Sequence, residues 1–369
     1  MSVRQARGTG NEQPGDEAER PLRPTRRRPS SLPLLLSPLL LLIGCLPSSQ
    51  REVDRSVSAA DSASAALAET VPVDTLEVVW TARAPEATPM PVPTGLAWIG
   101  DTLVVVETQE GSVRRVSADG RFVDATALPA GGFPYLAGTR GDTVVVLARQ
   151  AGELWWAVPG EGVVRRVPAP DGASLALAAP GRLAVRVGGG PDAREPVVID
   201  LDETGAETSR ASITGPAWRA IGRLRLWGDS LVALSGYRPV VDVLAPGAAA
   251  FDTLALVGFT SPQAVRSAQF MRGDADEPPL LTSSAAALGD RLLAINLRTD
   301  HVRLDVYGRD GRLARALVSR PAEETDVPLD LAVRERDGAV EIAVLWARPP
   351  GILSGPTARV VLYRWRPAR

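Results

Sequence analysis

One cysteine, Cys45, and one histidine, His301, are all the thiol and imidazole chemistry that 369 residues contain. That count excludes a disulfide framework, a Cys/His zinc site and most catalysis by cysteine or histidine. Lysine is absent, so all 41 basic residues are arginine, set against 43 acidic ones for a net charge of −2. Such a balance gives nucleic acid no electrostatic reason to bind. Arginine without lysine, among many Ala, Gly and Pro, reads as a coding bias rather than as function. Long apolar runs are missing except for Leu32 to Gly44, which Pro33 and Pro38 interrupt. Thirteen residues fall short of the about 20 that a membrane-spanning helix needs, so a polytopic membrane protein is excluded. Disorder throughout is excluded as well, because 45% of the residues are hydrophobic and can build a core.

What is present begins with an address. Residues 1–31 are polar and end in Arg26-Arg27-Arg28. A positive flank, a short apolar run and a small residue at its end form the layout of a secretory signal, here 1–44. The run closes on Leu42-Ile43-Gly44-Cys45, which resembles the bacterial lipobox. That resemblance implies that Cys45 becomes the first mature residue and carries the lipid. It also accounts for an unpaired cysteine in an exported chain. From Cys45 to Asp74 the sequence is rich in Ser, Ala and Asp, with one weak Ala run at 63–68. This stretch is expected to be a flexible tether holding the domain about 30 Å from the bilayer.

Residues 75–369 carry a repeat. A tight turn followed by an apolar strand recurs at Gly100-Asp101, Gly141-Asp142, Gly181-Arg182, Gly228-Asp229, Gly289-Asp290 and Asp337-Gly338. Each turn is preceded by another apolar strand and followed by a third, such as SVRRV, ELWWAV or VRLDVY. Gly and Asp at the turns supply hairpin chemistry. The second strand of each unit is apolar at successive positions, which means both of its faces are buried. Units of about 45 residues with four antiparallel strands, stacked face to face, describe propeller blades. The expectation is an all-β, six-bladed β-propeller in which the N-terminal strand 75–83 closes the last blade and removes its open edge. A seventh blade would have to hide in the polar, Pro-rich insertion at 259–282.

The stretch GDTLVVVETQEGSVRRVSADGRFV at 100–123 resembles the six-bladed, NHL-like propellers of bacterial envelopes, as does the unit from Gly289 to Leu313. Glu107, Gly111 and Val113 depart from the Asp- or Asn-Arg-Ile run that the family often carries after the second strand. The resemblance implies a protein-binding scaffold, a sugar or lactone hydrolase, or a protein of another role. A fold reused so widely does not set function.

The loops between second and third strands are the expected binding face. The candidate ligand-binding residues there are Arg149, Tyr237, Arg238, Asn296, Arg298 and Arg348, a cationic rim suited to an anionic ligand. Arg is 41 of 369 residues, so a rim of this kind is close to what composition alone supplies. His301 reads as a solvated strand-edge residue. Asp200, Asp202 and Gly205 begin like a calcium loop, but Ala211 stands where the bidentate Glu belongs, so a hairpin turn is expected. Asp274, Asp276 and Glu277 read as loop solvation, and the glycine run 188–190 as a turn. Trp155 and Trp156 are adjacent on a strand and must point to opposite faces. No Ser or Cys nucleophile sits in a recognisable motif, so no catalytic residue is assigned.

Together these readings describe a lipid-anchored binding or scaffold module of the cell envelope. Its expected partners are the membrane, through Cys45, and envelope proteins or a small anionic ligand. The domain is expected to be monomeric and to need no cofactor or metal. The alternative is a cation-dependent, lactonase-like hydrolase or lyase. It requires Asp, Asn and Glu converging at the axial mouth, where Glu107, Glu110 and Asn296 could begin such a set.

Overall fold

The structure is a computed structural model that describes residues 62–188, 196–214, 222–272, 274, 279–298, 301–319, 326–347 and 358–367. Cys45 and the apolar run before it lie outside these residues. A helix over 62–70, α1, opens the described chain. Two strands follow, β1 (Val73–Thr75) and β2 (Glu77–Arg83).

The first meander is β3 (Pro93–Ile99), β4 (Thr102–Glu107), β5 (Ser112–Val116) and β6 (Phe122–Ala127). The second is β7 (Pro134–Arg140), β8 (Thr143–Ala148), β9 (Glu153–Val158) and β10 (Gly162–Pro168). The third is β11 (Ala173–Ala179), β12 (Arg182–Val187), β13 (Val197–Leu201) and β14 (Glu207–Ser212). The fourth runs β15 (Leu224–Trp227), β16 (Ser230–Leu234), β17 (Val240–Leu244) and β18 (Asp252–Ala255). After helix α2 (Ala264–Arg272), the fifth is β19 (Ala285–Leu288), β20 (Arg291–Ile295), β21 (Val302–Tyr307) and β22 (Leu313–Ser319). The sixth has three strands of its own, β23 (Val327–Arg336), β24 (Ala339–Ala347) and β25 (Arg359–Trp365), and β2 pairs antiparallel with β25 as its fourth.

Each first strand touches the first strand of the next meander, and β23 touches β3, so six first strands among the described residues close a ring. The sheets are blades around an axis, and the fold is a β-propeller. The turns between first and second strands put glycine at positive φ in every blade, for example Gly100 at 54° and Gly141 at 60°. The left-handed region is open to glycine at little cost, which is why the Gly-Asp pattern recurs in the sequence.

Burial on both faces of the second strands is visible residue by residue. Leu103 and Val105 of β4 pack with Leu345 and Val360 of the sixth blade. Val104 and Val106 pack instead with Val144 and Val146 of the second. Trp155 and Trp156 divide in the same way, Trp155 facing the first blade and Trp156 the third. The core is therefore a set of inter-blade layers rather than one central mass.

Two boundaries differ from the sequence expectation. The expected tether 45–74 includes α1, which packs where the fourth and fifth blades meet. The Ser64 hydroxyl accepts the Gly258 amide at 3.0 Å, and Leu67 packs beside Trp227, Phe259 and Leu313. The expected closing strand 75–83 is broken at Leu76. Before the break, β1 pairs parallel with β22 as a fifth strand of blade five. After it, β2 closes blade six, so the N-terminal segment clasps two neighbours. The 259–282 insertion holds α2 and no strand among its described residues. Nine residues are too few for the sequence to show a clear helical period.

Candidate functional site

The loops joining second to third strands, and those joining one blade to the next, lie at the same end of the axis. Two arginine clusters gather there. The first crosses the axial channel. Asp330 on β23 is fully buried. Its Oδ1 accepts from Arg225 Nη2 at 2.6 Å and from the Ser284 hydroxyl at 2.5 Å, while Oδ2 accepts the Leu96 amide at 3.1 Å. Arg223 Nε stands 3.5 Å from Oδ1, and Arg223 also donates to the Thr94 carbonyl. Arg225 adds a bond to the Ala285 carbonyl at 2.8 Å. One carboxylate thus ties blades one, four, five and six. Burial pushes the Arg223 guanidinium down, Asp330 opposes that shift, and Arg225 adds to it. Gly95 is glycine because a Cβ there would lie 2.8 Å from Leu136 Cβ and 3.1 Å from Asp330 Oδ2.

The second cluster lies between blades two and three. Phe133, Tyr135, Arg149, Gln150, Gly172 and Ala173 line an open pocket of about 410 Å³. Arg149 is exposed and lays its guanidinium over the Tyr135 ring, 4.9 Å from the centroid. Arg186 lies on the face of β12 turned to blade four and is 3% exposed. It donates to the Gly222 carbonyl at 2.6 Å and meets the Ser174 hydroxyl at 3.4 Å. No carboxylate pairs with Arg186 among the described residues. Burial pushes its guanidinium down to about 9, with the charge of Arg149 adding to the shift.

The other expected rim residues are placed differently. Asn296 is 1% exposed and donates to the Thr260 carbonyl at 2.9 Å and to Asp305 Oδ2 at 2.6 Å. It holds the end of blade five together and does not stand on the rim. Burial raises Asp305, against the opposing pull of Arg303 and Asn296. Arg298, half-buried, donates to the same Thr260 carbonyl, so the structure brings Asn296 and Arg298 together on one backbone oxygen. Tyr237 is half-buried, and its carbonyl accepts the Ser267 hydroxyl of α2 at 2.9 Å. Arg238 is half-buried beside it, its amide bonded to the Ser235 hydroxyl at 3.2 Å. Arg348 lies outside the described residues, as do Asp276, Glu277 and most of the 188–190 glycine run. Of the set, Arg149 is the residue found exposed and lining a pocket.

Glu107 is fully buried, and its oxygens accept the amides of Val92, Gln109 and Glu110 at 3.1, 3.0 and 2.6 Å. It and Asn296 lie in different blades. Asp202 Oδ1 accepts the amides of Thr204 and Ala206 at 2.8 and 3.0 Å, which makes the expected hairpin turn. Among the described residues no three His, Cys, Asp or Glu side chains stand where they could share a metal ion.

Sequence reasoning missed Phe133, Tyr135, Arg186, Arg223, Arg225 and Asp330. A signal existed for Arg186. It interrupts RLAVRV, a second strand whose counterparts TLVVV and TVVVL are apolar throughout, so it marks a charge inside a twice-buried strand.

No protein-family model matches the chain, and no curated protein matches it. Solved structures do. Regucalcin, a calcium-binding protein from Agrobacterium tumefaciens, is 12% identical with a TM-score of 0.50, over 80% of this chain and 97% of that one. A streptogramin B lyase is 10% identical with a TM-score of 0.48, over 79% of this chain and 88% of that one. Virginiamycin B lyase from Staphylococcus aureus is 9% identical with a TM-score of 0.46, over 79% and 89%. At such identities the likeness to regucalcin shows the fold alone. The chain is a β-propeller protein.

Proposed function

We propose that this chain is an exported, lipid-anchored, six-bladed, NHL-like β-propeller that serves as a binding module at the cell envelope. The observation that carries the binding role is the open pocket between blades two and three, where an exposed cation, Arg149, lies over an aromatic face. Pockets of this size with a few convergent polar groups are the usual places for small ligands. The Leu42-Ile43-Gly44-Cys45 sequence supports the anchor. Two of the three residues that could begin the hydrolase set are engaged elsewhere: Glu107 accepts amides of its own loop, and Asn296 is buried in blade five.

Metabolic labelling with a tagged fatty acid, followed by crosslinked capture from envelopes, tests both halves. The wild-type chain is expected to carry label and fractionate with envelopes, while Cys45→Ser carries none and is released. A captured partner or ligand is expected to be lost with Arg149→Glu. Label on Cys45→Ser would overturn the anchor, and capture indifferent to Arg149→Glu would overturn the binding face.

A further inference from the structure

Phe133 is anomalous on two counts. It is 42% exposed, and its φ is +49°. The one other non-glycine residue at positive φ among the described residues is Asp337, in an ordinary Asp-Gly turn. An aromatic residue in the left-handed region is strained, and a position before proline adds to the conflict. The cause is local. At Gly132 a Cβ would stand 2.3 Å from the Trp155 ring, so the chain passes flat against that indole. Beyond it the backbone is held: the Gly132 carbonyl accepts the Gln150 amide at 3.1 Å, and the Pro134 carbonyl accepts the Thr108 hydroxyl at 2.6 Å. Between these ties Phe133 turns its ring outward into the pocket instead of into the core. Strain of this sort persists where the surroundings over-determine it, and it gathers at ligand sites.

The electrostatics of the same corner point the same way. Arg149 lines the pocket, is exposed, and pairs with no carboxylate among the described residues. We infer that the pocket formed by Phe133, Tyr135 and Arg149 binds a small aromatic compound carrying an oxyanion, its ring against Phe133 and its charged group on Arg149. The exposed Phe133 ring selects a flat apolar body, and the guanidinium fork selects a planar or tetrahedral oxyanion. This deepens the reading of the axial face as a binding surface and is independent of the lipid anchor.

Ligand-detected NMR titration of the purified full-length chain tests it, with detergent alone as the blank. The probes are benzoate, phenyl phosphate, acetate and benzyl alcohol. Benzoate or phenyl phosphate is expected to bind with a Kd of about 1 mM or tighter, and acetate and benzyl alcohol about tenfold more weakly. Whichever of the two aromatic anions binds more tightly names the head group. Arg149→Ala is expected to weaken benzoate by about ten- to a hundredfold. Phe133→Gly should weaken it about fivefold with a thermal midpoint no lower than wild type, which separates lost recognition from lost folding. Acetate binding as tightly as benzoate would overturn the inference. So would a benzoate Kd indifferent to both substitutions. Should benzoate fail while envelope capture still depends on Arg149, the binding module stands and this ligand class falls.

Discussion

The two arginine clusters at the axial end of the propeller differ in one respect, whether a carboxylate comes with them. In the channel, Arg223 and Arg225 share Asp330, and every blade that Asp330 touches is drawn to it. Between blades two and three, Arg149 has an aromatic face, and Arg186, on the blade-four side of β12, has a backbone carbonyl and a hydroxyl, with no acid paired to either among the described residues. The first cluster is complete and belongs to the architecture of the ring. The second has no carboxylate among the described residues, and its pocket is open to solvent. A buried charge is tolerated when the structure pairs it and is costly when left unpaired.

Removing Asp330 attacks the complete cluster and is expected to have the largest effect. Asp330→Ala should lower unfolding stability by about 3–5 kcal/mol in chemical denaturation, because two guanidinium groups lose their common counterion. A loss below about 1 kcal/mol would erase the contrast with the second cluster.

The same operation on the second cluster should have the opposite sign. Arg186→Met is expected to raise stability by about 1–2 kcal/mol at pH 7, since a charge without a carboxylate partner is replaced by apolar volume. Burial holds the folded value of Arg186 at about 9, below its ordinary guanidinium value. Between those values the unfolded chain binds more protons, so the wild-type penalty is full at neutral pH and declines as pH rises above 9. The advantage of the Met variant should shrink over that window. Destabilisation at pH 7 would show that Arg186 is structural.

Strain at Phe133 gives a smaller expected gain. Phe133→Gly removes the left-handed penalty of an exposed aromatic and should stabilise the fold by about 1 kcal/mol in thermal unfolding. A clear loss would place the ring in the packing instead of the pocket.

The smallest effect is expected where a pair is exposed on an outer strand. Asp124 is held below the usual carboxylate range, chiefly by its hydrogen bond from Arg115. Both side chains are about a third exposed or more. Asp124→Asn should cost about 0.5 kcal/mol at pH 7. Because the folded value is depressed, that contribution exists above 3.8 and is lost as pH falls through the folded value. The variant and wild type should therefore converge in acid.

Much of the fold was legible because the signals are local. A glycine at each turn between first and second strands and a second strand apolar at successive positions can be read within ten residues. Those readings correspond closely to β4, β8, β12, β16, β20 and β24. The closing role of 75–83 was legible too, since a strand without a partner and a blade without a fourth strand answer each other. The break at Leu76 and the docking of α1 were not, because both depend on residues of the fourth and fifth blades that are distant in sequence. Asn296 looked like a rim residue from its place after β20. Its burial depends on Thr260 and Asp305, one of them in an insertion whose path the sequence does not show.

By itself the sequence determined that the chain repeats and that its strands stack as layers buried on both faces. These follow from periodicity and turn chemistry, which act over short stretches of chain. Only the tertiary structure decided which arginines meet a carboxylate. Thr94, Arg223 and Asp330 are more than a hundred residues apart in sequence, and ring closure alone brings their strands to one axis. Phe133 faces the pocket for a reason of the same kind. The Trp155 ring occupies the space beside Gly132, and only packing between blades places it there.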